Sequence, residues 1–369
     1  MRYREIEDHK ELVHLLEGEK EISSVAFQSL DFSLVAELAS GKVFKDCIFL
    51  GCKIPESLHR QISECSLVFP EITVPFNPYV NTLYTHQTLF RGYRLGDPSS
   101  YSLTPDKIIY DHFIAHGKEA TDIRETLARR LHDHAITDAL HDFALRYDER
   151  RIVAVMGGHG LLRTDPGYRE VALISKVLTE RGYLMVSGGG PGAMEATHLG
   201  AWLADRAIHD LDEALEILSC APRYDDEWWL DKAFAVVDRF PAPRFESVGI
   251  PTWLYGHELP TPLATRIAKY FANSVREDGL LALAKGGVIF SPGSAGTIQE
   301  IFQDATQNHY LSFGYASPMV FLNRDYWTRE RPVYPLLEQL SRERKYKNLI
   351  LSLCDKYGEA VEAIMAFTT

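Results

Sequence analysis

From residue 150 onward, short apolar runs alternate with longer segments whose apolar positions recur every three or four residues. The run at 151–156 predicts a buried strand. The segment at 168–181, with Val171 and Leu178 on one face, predicts an amphipathic helix. Strands that alternate with helices form a parallel sheet covered by helices on both faces, which predicts an α/β domain. Further strands are predicted at 183–186, 247–250, 287–290 and 318–322.

The first hundred residues differ, because short β-prone pieces are punctuated there by glycine and proline. This pattern predicts a small β-rich N-terminal module over 1–103, without an internal repeat and with an irregular loop at 75–79. A helical segment over 104–149, which begins where Thr104 caps a helix, leads into the core domain at 150–369. The strands predicted in the module are 22–27, 45–50, 66–69 and 71–74.

Composition narrows the possible partners. The chain has 369 residues and a formal net charge of −12, whereas nucleic-acid binding needs a broad basic face. No apolar run is long enough to span a bilayer, and the first residues lack the apolar core of a signal peptide. We therefore expect a cytoplasmic protein whose partner is a small molecule, with neither nucleic acid nor membrane as partner.

Metal and disulfide chemistry are not indicated. The five cysteines are scattered and form no Cys-x-x-Cys pair. His112 and His116 are four residues apart, a spacing that would allow a metal pair on one helix face. No His-Glu-x-x-His motif accompanies them, so solvated or buried histidines are the favoured explanation and no metal is predicted.

Three glycine-rich turns follow predicted strands, at 157–160, 188–192 and 291–296. Ligands of parallel α/β folds bind at the carboxyl ends of the strands, so the three turns predict one shared site. The candidate substrate-binding residues are Gly158, Gly188, Gly189, Gly190, Gly192, Met194, Pro292, Gly293, Ser294, Gly296 and Thr297.

The third turn joins a strand to a helix, an arrangement in which bare amides and the helix dipole bind an anion. Gly293 and Gly296 are expected to allow unusual backbone dihedrals. Thr297 is expected to donate to a phosphate oxygen or to form a capping box with Glu300. The dinucleotide fingerprint fails at Arg163 and no P-loop sequence occurs, which argues against a nicotinamide dehydrogenase and an NTPase.

Residues 292–300 read Pro-Gly-Ser-Ala-Gly-Thr-Ile-Gln-Glu and resemble the P-G-G-x-G-T-x-x-E signature of the Lonely Guy (LOG) family of nucleotide phosphoribohydrolases. The turn at 188–194 is similar to the family's G-G-G-x-x-G-x-M, and the resemblance extends over 151–326, about half of the chain. It implies a Rossmann-like fold and a homodimer or larger assembly, without a cofactor. The implied reaction is hydrolysis of nucleoside 5′-monophosphates to a free base and ribose 5-phosphate.

The resemblance also implies the catalytic residues. Glu300 matches the glutamate of the signature, and Arg276 is the best match to an arginine that precedes it. Ser294 replaces the family's second glycine, and Glu277 stands where a lysine is typical. These two departures keep open a second interpretation, a nucleotide-binding or sensor protein that holds its ligand without cleaving it.

Other interpretations depend on single segments. A pyridoxal phosphate enzyme is disfavoured because Lys285 precedes a strand instead of following one. The segment 253–258 either stacks aromatic rings on a base, with His257 or Glu258 in contact with it, or packs as an ordinary loop. A scaffolding role for the N-terminal module could coexist with catalysis.

Overall fold

The computed structural model describes residues 3–256 and 258–368. Its strands are β1 (Arg4–Ile6), β2 (Glu21–Ser23), β3 (Val25–Gln28), β4 (Val43–Lys45), β5 (Cys47–Leu50), β6 (Ser66–Phe69), β7 (Ile152–Met156), β8 (Leu184–Ser187), β9 (Ser247–Gly249), β10 (Arg266–Ile267), β11 (Gly287–Phe290), β12 (Pro318–Leu322) and β13 (Ile350–Cys354).

The α-helices are α1 (His9–Gly18), α2 (Ala36–Ala39), α3 (Glu56–Ser63), α4 (His86–Leu89), α5 (Pro105–Ala115), α6 (Ile123–Ala144), α7 (Pro166–Glu180), α8 (Ala193–Trp202), α9 (Ile208–Ser219), α10 (Trp229–Arg239), α11 (Asn273–Leu283), α12 (Ala295–Tyr310), α13 (Val333–Arg342) and α14 (Tyr357–Thr368). None of these helices, within the described residues, has the length and apolarity to cross a membrane.

The chain forms two compact units, which are described separately. One unit consists of Met1–Thr82 with Ile114–Ala139, and the other of Leu83–Phe113 with Leu140–Thr369. The domain boundaries predicted from the sequence at 103 and 149 remain predictions.

The first unit contains a short solenoid, so the expectation that the chain has no internal repeat is wrong. Parallel pairing places Ile22 beside Phe44 and Phe27 beside Phe49, and in both pairs the partner is 22 residues further along the chain. Strands β1, β3, β5 and β6 form one parallel sheet, and β2 and β4 form a second. Each coil therefore stacks on the next and buries a side chain that the single coil could not cover.

The turns between the strands repeat with the same spacing as the strands. Ser24 and Asp46, again 22 residues apart, both adopt positive φ, 56° and 51°. Each of these residues turns the chain between two strands, which is why the predicted strands 22–27 and 45–50 are each divided in two. The two turn residues have different side chains, and this hides the repeat from sequence comparison.

One strand predicted in the first unit, over 71–74, does not form. The sheet stops at β6, and no strand occurs over 71–74. Pro70, the residue after β6, has no backbone N–H to continue a ladder. The irregular conformation predicted for 75–79 is confirmed.

The helical start predicted at Thr104 is confirmed, since its Oγ1 accepts a hydrogen bond of 3.3 Å from the Lys107 amide as α5 begins. Helix α5 ends at Ala115. His116 therefore lies beyond the helix that carries His112, and the shared helix face that a metal pair would need does not form.

The second unit contains a seven-stranded parallel sheet in the order β10-β9-β8-β7-β11-β12-β13. The chain starts at β7, moves outward through β8 and β9, and later returns to β11 on the opposite side of β7. This reversal of direction is the topological switch of doubly wound folds, and it opens a crevice between the carboxyl ends of β7 and β11. The predicted Rossmann-like α/β class is confirmed.

Alternating side chains on the strands bury both faces of this sheet. Val153 and Val155 pack with the apolar residues of α7, α8 and α14 in one core, together with Ile289 of β11. The intervening residues Ala154 and Val288 are equally buried and point to the opposite face. With both faces covered, the polar ligand groups can only gather at the strand ends.

We expect Phe49→Ala to lower the free energy of unfolding by about 3–5 kcal/mol, because it removes a buried ring and leaves a cavity. The Phe49 ring is fully buried and stacks on Phe27 with 4.9 Å between the ring centroids. Urea unfolding of the full chain measures the change. Leu34→Ala is the matched control, because Leu34 is 73% exposed and its loss should alter stability by less than about 0.5 kcal/mol. Equal losses in the two variants would contradict the solenoid core.

Candidate functional site

The candidate site is a cavity of about 350 Å³ at the carboxyl edge of the seven-stranded sheet. The turns that follow β7, β8, β9 and β11 surround it, at the crevice where the strand order reverses. The predicted site residues that line the cavity are Gly158, Gly188, Gly190, Met194, Arg276, Ser294, Gly296, Thr297 and Glu300. The predicted site residues that lie in the same turns without lining it are Gly189, Gly192, Pro292 and Gly293.

The N-terminus of α12 points bare amides at this cavity. The first amide to bond back along the helix is that of Ile298, which donates to the Ser294 carbonyl at 3.0 Å. Among the described residues no acceptor reaches the amides of Ala295, Gly296 and Thr297, and all three residues line the cavity. Such a helix start binds anions, because unsatisfied N–H groups and the helix dipole act together.

The expected capping box between Thr297 and Glu300 does not form. Ser294 occupies the N-cap position without a side-chain cap bond, and Thr297 lies inside the first turn of α12. Within the part of the chain that the structure describes, no side chain therefore satisfies the helix start in place of a ligand.

In the third turn only Gly293 is needed for space, and the expectation of unusual dihedrals at Gly293 and Gly296 is wrong. Neither Gly293 nor Gly296 has a positive φ. A β-carbon at Gly293 would overlap Thr297 Oγ1, whereas one at Gly296 would meet no atom within 4 Å. Ser294 has φ −108°, so it does not lie in the left-handed region that favours glycine. Tyr326 holds the turn from outside by donating to the Gly293 carbonyl at 2.5 Å.

The second turn does use left-handed backbone. Gly189 and Gly192 have φ of 71° and 69°, and α8 begins at Ala193, directly after this turn. A β-carbon at Gly192 would overlap the carbonyl oxygen of Gly158, so the first and second turns interlock through backbone contact.

Met194 and Arg276 complete the wall beside the second turn. The Met194 sulfur lies 2.6 Å from the position that a β-carbon would take at Gly188, and Arg276 Nη1 lies 3.3 Å from it. The Met194 thioether and the Arg276 guanidinium thus both lie close to the Gly188 backbone. Any larger residue at this position would displace one of them.

Glu300 is the titratable group of the site with the largest change. Burial raises the pKa of its carboxyl to about 7, an effect that Arg276 opposes and Glu277 reinforces. A carboxyl with this pKa is close to half ionised at neutral pH, which suits an acid–base catalyst.

The charged neighbours of Glu300 are fixed by amide side chains. Asn273 Oδ1 accepts from Arg276 Nη2 at 3.1 Å, and Asn273 Nδ2 donates to Glu277 Oε1 at 2.6 Å. Gln299 donates to the other oxygen of Glu277 at 2.9 Å. Both carboxylate oxygens of Glu277 therefore accept hydrogen bonds. Although Glu277 stands where a lysine is expected, it helps to hold Asn273, which contacts Arg276.

Sequence reasoning missed a second acid–base pair in the cavity. His159 follows β7, and its Nδ1 lies 3.1 Å from Glu258 Oε1 in the segment after β9. Both side chains line the cavity. A histidine directly after Gly157-Gly158 was a visible signal, but its partner is 99 residues away in the chain, and only the fold brings them together.

The segment 253–258 behaves in part as a packed loop. Trp253 is fully buried and stacks on Phe271 with 4.5 Å between the ring centroids, so it does not face a ligand. Tyr255 and Glu258 do line the cavity. His257, the other predicted base contact, lies outside the described residues.

Lys285 is placed as the sequence suggests. It precedes β11, at the amino end of the strand, and its Nζ lies 2.6 Å from Glu149 Oε2. Because the cavity is at the carboxyl end, the geometry gives no support to a Schiff base at this lysine.

The fold defines a Rossmann-like α/β protein, and the start of α12 lines a cavity at the switch point of its sheet. No protein-family model and no curated protein sequence matches the chain.

Two solved structures of low similarity are a molybdenum cofactor binding protein and a Moco carrier protein. The first, from the phototrophic bacterium Rippkaea orientalis, is 16% identical with a TM-score of 0.37 and covers 59% of this chain and 97% of its own. The second, from Chlamydomonas reinhardtii, is 14% identical with a TM-score of 0.35 and covers 59% of this chain and 96% of its own. Similarity at this level says nothing about the function of the chain, which has to be argued from its own residues.

We expect Asp304→Asn to stabilise the protein at pH 9 and to change its stability little at pH 5. Asp304 is 3% exposed, its Oδ2 has no hydrogen-bond partner among the described residues, and burial raises its pKa to about 8. The folded state therefore favours the protonated form, and stability is lost as pH rises from the ordinary aspartate value through about 8. The gain at pH 9 should exceed the gain at pH 5 by about 4 kcal/mol, at 1.36 kcal/mol for each pH unit between 5 and about 8.

Urea unfolding at the two pH values measures this difference. The exposed Asp238 provides the matched control, since Asp238→Asn should be neutral at both. A variant at Asp304 that is destabilised equally at pH 5 and pH 9 would contradict a protonated carboxyl in the fold.

Proposed function

We propose that the protein hydrolyses the N-glycosidic bond of nucleoside 5′-monophosphates, releasing the free base and ribose 5-phosphate. The observation that carries this proposal is a single cavity in which the bare amides of α12 and the carboxyl of Glu300 face the same space. An anion site one helical turn from an acid–base group suits a substrate whose phosphate is bound while its sugar reacts. The resemblance of 292–300 to the LOG signature points to the same reaction.

The phosphate has a defined place in this proposal. The amides of Gly296 and Thr297 would donate to its oxygens, and the Thr297 hydroxyl is close enough to the turn to add a further donor. Binding energy from a phosphate that does not react can hold the ribose in reactive geometry. The exposed residues Ser294, Ala295 and Gly296 keep this anchor accessible.

Glu300 would act on the water and on the sugar. As the bond between C1′ and the base nitrogen breaks, positive charge develops on the ribose, and a nearby carboxylate stabilises it. The same carboxylate accepts a proton from the water that attacks C1′. Arg276, which opposes the rise in the Glu300 pKa, helps to keep a fraction of the carboxyl ionised at neutral pH.

One observation favours the alternative, a protein that binds a nucleotide without cleaving it. Glu277 adds a second carboxylate to the cavity and raises the pKa of Glu300, which lowers the ionised fraction at neutral pH. The deciding experiment incubates the purified protein with a panel of purine and pyrimidine monophosphates and measures free base by chromatography. Base release supports hydrolysis, whereas binding of the nucleotides without any base release supports the alternative.

We expect Glu300→Gln to lower kcat by ~10²–10⁴-fold, because the amide can neither accept the water proton nor carry negative charge. The wild-type kcat/KM should rise with pH through about 7 as the carboxyl ionises, and the variant should lack this rise. Steady-state assays of base release across pH 5–9 measure both effects. Glu216→Gln, on the exposed side of α9, is the control and should match the wild type. Unchanged turnover at Glu300→Gln would remove this residue from the mechanism.

Removal of the 5′-phosphate from the substrate should reduce kcat/KM by at least ~10²-fold, since the phosphate contacts hold the ribose in place. Parallel assays with AMP and adenosine give the ratio. Equal efficiency on the two substrates would contradict the proposed anchor at α12.

A further inference from the structure

The pair formed by His159 and Glu258 has no role in the mechanism described so far. Both side chains line the same cavity as Glu300, and a distance of 3.1 Å joins His159 Nδ1 to Glu258 Oε1. The pair lies beside the second turn, since Glu258 Oε2 is 3.7 Å from the β-carbon position of Gly190. An imidazole and a carboxylate in contact, inside a ligand cavity, are a standard device for moving a proton.

His159 is held both through its backbone and through its ring. Its backbone packs against Gly192, where a β-carbon would lie 2.8 Å from the His159 carbonyl oxygen. The ring itself meets the edge of Tyr224, with 5.1 Å between the ring centroids. The histidine is therefore positioned by the interlocked first and second turns and by its neighbours.

One ring nitrogen of His159 remains available to a ligand. Glu258 lies beside Nδ1 as an ion-pair partner, and no hydrogen bond to the ring occurs within residues 3–256 and 258–368. The side chain is 41% exposed and lines the cavity, so a ligand can reach it. The partner of one nitrogen sets the tautomer, which makes Nε2 the atom that exchanges a proton with a bound molecule.

We infer that His159 is the general acid that protonates N7 of the departing purine and that Glu258 is its positioning residue. This inference rests on the proposed hydrolysis. It assigns different groups in the cavity to the two halves of the substrate. The amides of α12 and Glu300 serve the phosphate and ribose, and the His159–Glu258 pair serves the base.

The proton balance of the reaction closes with these groups. The bond between C1′ and N9 breaks, and its electron pair goes to the purine while Nε2 of protonated His159 gives its proton to N7. Water forms the new bond to C1′ and gives its proton to the Glu300 carboxylate. Exchange with solvent returns that proton to His159, so one nucleotide and one water yield one base and one ribose 5-phosphate.

The chemistry of the leaving group selects purines. A purine has N7, a ring nitrogen away from the glycosidic bond whose lone pair can take a proton before the bond breaks. A pyrimidine joined through N1 has no second ring of this kind. A single imidazole donor at the base end of the cavity therefore matches a purine.

The test compares His159→Ala with the wild type on guanosine 5′-monophosphate and on 7-methylguanosine 5′-monophosphate. The methylated base already carries a positive charge and needs no proton at N7. We expect kcat on the first substrate to fall by ~10²–10⁴-fold and kcat on the second to change by less than about tenfold. Glu258→Gln should show the same selectivity with a smaller loss, as a positioning residue should.

Controls separate this role from a general loss of structure. His209→Ala is the matched control, because the His209 side chain on α9 is 78% exposed and lies outside the cavity lining. It should behave as the wild type on both substrates. Circular dichroism and thermal melting check that each variant folds. A partly unfolded variant would lose both activities together, so selective retention of the methylated substrate identifies the acid.

The outcomes distinguish the inference from the function on which it rests. Equal losses on the two substrates overturn the general acid and leave the hydrolysis intact. Base release from pyrimidine nucleotides alone by the wild type overturns the purine assignment and again leaves the hydrolysis intact. Absence of base release from every nucleotide overturns both.

Discussion

The bare amides at the start of α12 are the feature on which the rest of the site depends. They exist because Ser294 leaves the N-cap without a side-chain bond and because the next three amides precede the first helical hydrogen bond. The strand order places this helix start at the crevice between β7 and β11, where the turns of neighbouring strands converge. An anion bound there would lie in the cavity that Arg276 and Glu300 also line.

Close backbone contact makes that convergence possible. Gly192 fits against the carbonyl of Gly158, and the Gly158 amide donates to the Pro292 carbonyl at 3.0 Å, so the three turns pack through their backbones. The charged groups are then spread around a common space. Arg276 and Glu277 share Asn273 beside Glu300, and the His159–Glu258 pair lies by the second turn. The low exposure of Glu300 raises its pKa towards neutrality, which connects packing to chemistry.

Local patterns in the sequence predicted most of the second unit, including β11 and β12 at their observed ends, because uniformly apolar strands and glycine turns are local signals. The solenoid was missed because its repeat depends on backbone geometry shared by unlike residues, Ser24 and Asp46. The capping box was wrong because α12 begins two residues before Thr297. His159 and Glu258 were not paired because the sequence carries no signal for a contact over 99 residues.

A crystal structure of the protein with ribose 5-phosphate tests the central claim most directly. The account predicts phosphate oxygens within about 2.7–3.2 Å of the amides of Gly296 and Thr297, the ordinary hydrogen-bond range. It also predicts that the anomeric carbon faces the Glu300 carboxyl. A phosphate bound elsewhere on the chain, or a Glu300 side chain turned out of the crevice in the occupied site, would contradict it.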